Sequence, residues 1–241
     1  GVVPSTFRIL RLLLDRIDNA ADGVVLLQAA NVDIPSHRLD EAAATAELLG
    51  EGVLESPPLV AGARPMADTP LDALLARTWK PSLSYTGLDG MPPTGSAGNV
   101  LRPSTTISLS MRIPPTADPV AVEAELRAIL EADPPYGATV RFTGDGAPGW
   151  NAPDLAPWLR AALDDASKEV FGRSLQLYGE GGTIPFMGML GDRFPAAQFV
   201  ITGVLGPGSN AHGPNEFLDV AYAEKLTGVL ARVLDRSSGP R

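Results

Sequence analysis

The sequence predicts an α/β chain in two parts, and three observations predict it. From Phe7 to Phe142 the apolar spacing alternates between helical and strand-like, in the order helix, strand, strand, helix, strand. A run rich in glycine and proline, Gly144–Pro153, then interrupts the pattern as a domain boundary does. Beyond it, helices and strands alternate to the end of the chain, as layered α/β domains do. Residues 1–147 need only one leading strand to make a β-α-β-β-α-β unit of ferredoxin-like type, so a further strand is expected before Gly1. Residues 148–241 form the second part.

Taken in order, Pro4, Ser5 and Thr6 precede a helix whose apolar stripe is Phe7, Leu10, Leu13, Leu14 and Ile17, ending at Asn19–Gly23. Val24–Leu27 reads as a short strand and Leu39–Leu49, rich in Ala and Glu, as a helix. Residues 50–70 hold Pro57, Pro58, Pro65 and Pro70 and read mostly as loop, with a short helix after them at Leu71–Arg77. Ser82–Leu88 is a strand, followed by a turn from Asp89 to Gly98. Thr105–Ile113 alternates, with Ile107, Leu109, Met111 and Ile113 on one face and Thr106, Ser108, Ser110 and Arg112 on the other. Asp118-Pro119 starts a helix, aspartate capping and proline in the first turn, with Val122, Leu126, Ile129 and Leu130 as its buried stripe. Ala138–Phe142 is the next strand. In the second part the reading is helix Asp154–Phe171, strand Ser174–Tyr178, helix Ile184–Leu190, strand Phe199–Leu205 and helix Val220–Leu234 capped by Asp219.

Composition narrows the function. At 44% hydrophobic and 20% charged residues the chain is globular rather than disordered. A formal net charge of −9 without a clustered basic face argues against a nucleic-acid partner. No apolar run approaches the roughly eighteen residues a membrane span needs, so no membrane partner is expected. With no cysteine, disulfides and thiolate metal sites are excluded; a metal would have to use histidine and carboxylate, and a reducing cytoplasm fits.

Three stretches carry candidate chemistry. The first is GSNAHGPNE, where the apolar run Phe199–Leu205 feeds a loop presenting His212, with Asn215 and Glu216 behind it and a helix beyond. Ligands of open α/β sheets bind at such loops, although a loop histidine taken alone is usually a surface residue. The second is GEGGTIP. Its glycines could suggest a phosphate cradle, but the lysine a P-loop needs does not follow; a tight turn before a helix is the plainer reading. The third is SLSMRIP, whose Arg112 lies on the polar face of its strand. His37 has no chelating neighbours and reads as a surface histidine, and no G-x-S-x-G is present.

Together these stretches resemble the family of two-zinc hydrolases that contains carnosinase, acetylornithine deacetylase and succinyl-diaminopimelate desuccinylase. The resemblance implies a ferredoxin-like lid and dimerisation domain at 1–147, lacking its first strand, and the C-terminal portion of an α/β zinc-hydrolase catalytic domain at 148–241. The insertion at about 24–78 and TWKPSLSYTGLDG resemble the carnosinase-like dipeptidase branch. By resemblance His212 is a metal ligand, with Glu216 a structural anchor or helix-start residue rather than a ligand. Arg112 would bind the substrate carboxylate from the end of a lid strand, reaching a site across the dimer. Asn99, in GNVLRP, would lie near the substrate, and Glu180, Gly181, Gly182 and Thr183 would contact it. Some relatives carry an arginine where this chain has Gly179. The implied cofactor is a pair of zinc ions, with manganese or cobalt as alternatives, and the implied substrate a small peptide or N-acyl amino acid. The family's other metal ligands and its general base match nothing here, so the chain alone is expected to be inactive. A non-catalytic dimerisation module is the alternative.

Overall fold

The computed structural model describes residues 1–55, 59–181, 184–206 and 208–237. The fold is α/β and divides into two compact units: residues 1–151 with 178–189, and residues 152–177 with 190–241.

In the first unit, helix α1 (Thr6–Leu14) begins where Ser5 accepts a hydrogen bond from the Arg8 N–H. Leu13 of α1 and Ile17 beyond it are buried. Helices α2 (Ser36–Leu49), α3 (Gly52–Glu55) and α4 (Pro70–Thr78) follow. Thr69 caps α4, with Pro70 in the first turn. Ala42 of α2 and Leu75 of α4 bury a small satellite core with Trp79. Strands β1 (Ser82–Asp89) and β2 (Thr106–Arg112) pair antiparallel from Ser82↔Arg112 to Asp89↔Thr106. Thr86 is the extra residue of a bulge between Tyr85 and Gly87, and its hydroxyl bonds to Ser108. Leu109 and Met111 of β2 face inward as their alternation predicts, onto a core of Leu13, Ile17, Val25, Leu27, Ala30, Val122 and Leu130. Helix α5 (Pro119–Glu131) starts at the predicted Asp118 cap.

Two strands expected in this unit do not form. Of Val24–Leu27, only an isolated bridge between Asp18 and Val25 exists. The Val24 carbonyl accepts from the Asn19 N–H and the Leu26 N–H donates to the Ile17 carbonyl, and side chains take the groups around them. Asn31 donates to the carbonyls of Val25 and Leu27, and Glu125 of α5 accepts from the Gln28 and Ala29 N–H groups. Ala138–Phe142 likewise has no ladder. Its Phe142 N–H donates to Glu131 and its carbonyl accepts from Arg127, both on α5. Val140 and Phe142 nevertheless pack on the core. The predicted alternation is therefore present in the burial, while charged side chains replace the neighbouring strand.

The second unit is built on α6 (Pro157–Phe171) and α8 (Val220–Ser237). Leu159, Ala162, Leu163 and Ala166 of α6 meet Val229 and Val233 of α8. Gly172 ends α6 in the left-handed region at φ +74°, which glycine adopts without a Cβ penalty. Asp219 accepts from the Tyr222 N–H at the start of α8, as predicted. Ion pairs Arg232–Glu169 and Arg236–Asp165 join the two helices at their surface, where such pairs add little. The expected strands Ser174–Tyr178 and Phe199–Leu205 are not formed. The Leu175 N–H is held by Asp164, and Val200, Ile201 and Leu205 are exposed rather than buried. Helix α7 (Pro185–Arg193) matches the helix read at Ile184–Leu190, and among the described residues no helix is long and apolar enough to cross a membrane.

Candidate functional site

Glu180 and Gly181 lie on a loop of the first unit and His212 on a loop of the second, while Arg112 ends β2 and Asn99 lies between β1 and β2. In the first unit the segment Gly179–Gly181 runs against the C-terminal end of α4. The Arg77 guanidinium donates to the Glu180 carboxylate at 2.9 Å. The backbone carbonyl of Arg77 lies 2.3 Å from where a Cβ on Gly181 would stand, and the Thr78 Cβ 3.0 Å from where one on Gly179 would stand. Only glycine fits at 181 without a shift, because the obstacle is backbone. Arg112, the last residue of β2, donates from its guanidinium to the Gly181 carbonyl. The sheet brings it there because alternation turns Arg112 away from the core face carrying Leu109 and Met111.

Of the residues the sequence marks, Arg112, Glu180 and Gly181 therefore come together within a single chain. Gly182 and Thr183 lie outside the described residues. Asn99 sits in the exposed connection between β1 and β2, and among the described residues its side chain makes no hydrogen bond to Arg112, Glu180 or Gly181. Arg77 was missed. The helix reading placed it correctly at the end of α4, but no sequence signal ties it to a glutamate 103 positions away.

The sheet bearing Arg112 is fastened from behind. The Tyr85 hydroxyl on β1 donates to both oxygens of the buried Asp18 carboxylate, at 3.0 Å each. Burial and then the Asp18 carboxylate raise the Tyr85 phenol to about 12.

In the second unit, His212 tops a loop that holds itself. The Glu216 carboxylate accepts from the His212 N–H at 3.1 Å, Asn210 donates to the Pro214 carbonyl, and the Gly213 N–H donates to the Asn210 carbonyl at 2.9 Å. Ser209, buried at the base, accepts from the Gly206 N–H at its hydroxyl and from the Phe217 N–H at its carbonyl. Asn210, His212 and Asn215 have φ of +54°, +61° and +57°. Asparagine takes the left-handed region readily; a histidine does so at a cost of roughly 1–2 kcal/mol. The bond to Glu216 helps hold it there, with the ring side exposed. Glu216 is thus engaged as an anchor. Among the described residues no three His, Cys, Asp or Glu converge as a metal site. His212 is one donor, and the donor set present does not make a zinc centre.

With this geometry in hand, the comparisons decide the family. The sequence pattern of "Peptidase family M20/M25/M40" matches residues 25–236. The chain belongs to this family. As a family member it is 29% identical over 164 residues to the cysteinylglycine-S-conjugate dipeptidase of Corynebacterium striatum, covering 66% of this chain and 34% of that protein. Among solved structures, it resembles the dipeptidase Dug1p of Saccharomyces cerevisiae with a TM-score of 0.73 at 20% identity, over 100% of this chain and 50% of that one. It resembles human carnosine dipeptidase 1 at 0.68 and 18%, over 98% and 50%. The metallo-carboxypeptidase Sso-CP2 of Sulfolobus solfataricus follows at 0.71 and 17%, over 96% and 52%. The chain thus spans about a third of the curated relative and half of the structural ones. At these identities the structural likenesses establish the fold.

Proposed function

We propose that the polypeptide carrying this chain is a metal-dependent peptidase that cleaves the amide bond of a dipeptide or N-acyl amino acid. Family membership supports the reaction class. The observation that carries the reading is the meeting of Arg112 with the Gly179–Gly181 segment. A planar guanidinium suited to gripping a carboxylate at two points stands beside a loop bearing Glu180. Arg112 binds the substrate carboxylate; Glu180, Gly181, Gly182 and Thr183 contact the rest of the substrate, with Asn99 near it. His212 is one ligand of a two-zinc centre, manganese or cobalt being alternatives. Among the described residues the donors of this chain do not complete that centre. The 241-residue chain alone is inactive. The protein works in the cytoplasm as a homodimer formed through a lid domain at 1–147, where an edge of the two-stranded sheet of β1 and β2 pairs with its copy; residues 148–241 belong to the catalytic domain.

The alternative is a non-catalytic dimerisation module, in which these residues only shape an interface. One experiment separates the two. The full-length polypeptide is stripped with a chelator, reloaded with zinc and offered dipeptides and N-acyl amino acids, with amine release measured. Hydrolysis only after reloading supports the peptidase. No hydrolysis of any of them by the loaded protein leaves the module. Turnover by the 241-residue chain itself would overturn the claim of its inactivity. Light scattering of a form without residues 1–147 should show a monomer; a persisting dimer rules out the lid as the interface.

A further inference from the structure

We infer that Arg77 is a positioning residue for the substrate loop: from the end of α4 it fixes the Glu180 carboxylate while its own backbone seats Gly181. The inference rests on the reading of that loop given above. The ion pair by itself is weak, since the two side chains are 46% and 60% exposed and pairs of this kind add little. What gives it direction is the seat beneath it. Gly181 lies so close to the Arg77 carbonyl that a Cβ would stand 2.3 Å from it, and one on Gly179 would stand 3.0 Å from the Thr78 Cβ. The Gly181 carbonyl is meanwhile held by Arg112. Two consecutive residues of the loop are therefore pinned from two separate elements, α4 and β2. Arg77 is the only one of these anchors that reaches the Glu180 side chain among the described contacts. Without it, Glu180 regains its rotamers, and its charge is aimed by nothing but the backbone.

A double-mutant cycle of Arg77→Ala, Glu180→Ala and the pair tests this. In the 241-residue chain, the amide order parameters of Gly179 and Gly181 should fall from rigid values near 0.85 toward about 0.6 in either single variant. The double variant should fall no further. Unchanged order in both singles, or additive losses, overturns the proposal. In the zinc-loaded full-length protein, Arg77→Ala should raise KM about two- to fivefold with kcat unchanged, the size a surface pair allows, and Arg77→Lys should recover part of it. A fall in kcat at constant KM, the mark of a smaller folded fraction, also overturns it. If the full-length protein hydrolyses nothing, the peptidase reading fails, and the order parameters still decide the role of Arg77.

Discussion

The loop at Gly179–Gly181 and the loop at His212 solve one problem in opposite ways. The first makes its bonds to distant elements: Arg77 lies 103 positions away and Arg112 lies 69. The second is closed by bonds between neighbours, with His212 and Asn210 each tied to a residue four positions on. A loop held from outside can be repositioned by changes anywhere along its supports. A loop held by itself carries its geometry with it, and its strain too, in the left-handed backbone of His212.

The largest expected effect tests the self-held loop. In the full-length enzyme His212→Ala should reduce hydrolysis on the order of a hundredfold or more, since even indirect supports of metal ligands cost ten- to a hundredfold. The melting temperature should barely move, because the residue is exposed. Wild-type turnover at saturating zinc would remove His212 from the site.

Arg112→Lys comes next and tests the externally held loop. Lysine keeps the charge but loses the planar fork. The expected loss is about 1.5–3 kcal/mol, or about ten- to a hundredfold in kcat/KM. The loss should shrink on a substrate whose carboxylate is amidated. Equal losses on acid and amide would assign Arg112 to holding Gly181 alone.

A pair of glycine substitutions sets the two loops against each other. Gly181→Ala meets the Arg77 backbone carbonyl at 2.3 Å, whereas Gly213→Ala meets the Asn210 side-chain amide at about 2.6 Å. A side chain can swing aside and a helix end cannot. In kcat/KM, Gly181→Ala should therefore be the more damaging by roughly tenfold, a difference of about 1.4 kcal/mol. The reverse order would mean that the His212 loop is the stiffer of the two.

The smallest effect concerns the support behind Arg112. The Tyr85 phenol ionises near 10 when unfolded and near 12 when folded. Its contribution to stability is whole below pH 10 and drains away as the pH climbs through 12. Denaturant titrations between those limits should show the decline in the wild type and lose that component in Tyr85→Phe. An identical decline in the variant would place its origin elsewhere.

How much of this was legible follows from the same contrast. The His212 loop could be read because its determinants, from Ser209 to Glu216, are contiguous. Helices α1, α4, α5, α6 and α8 could be read for the same reason, from sequence that is local to each. Arg77 could not, because what makes it matter is a partner far along the chain. The strands were half legible. Alternation located Val140 and Phe142 on the core side, but a strand also needs a neighbour, and Glu131 and Arg127 took that place. At Phe199–Leu205 an apolar run implied burial, and burial depends on a covering surface that composition does not specify.

The seat of Gly181 on the end of α4 also orders events in time. Closing a separation of 103 residues is entropically slow compared with winding a helix, so the seat is made after the helix that bears it. In a refolding experiment the helical signal should return first and the competence to bind a carboxylate only afterwards. A refolding chain would pass through an interval in which α4 is wound and the place where Gly181 docks on it is still empty.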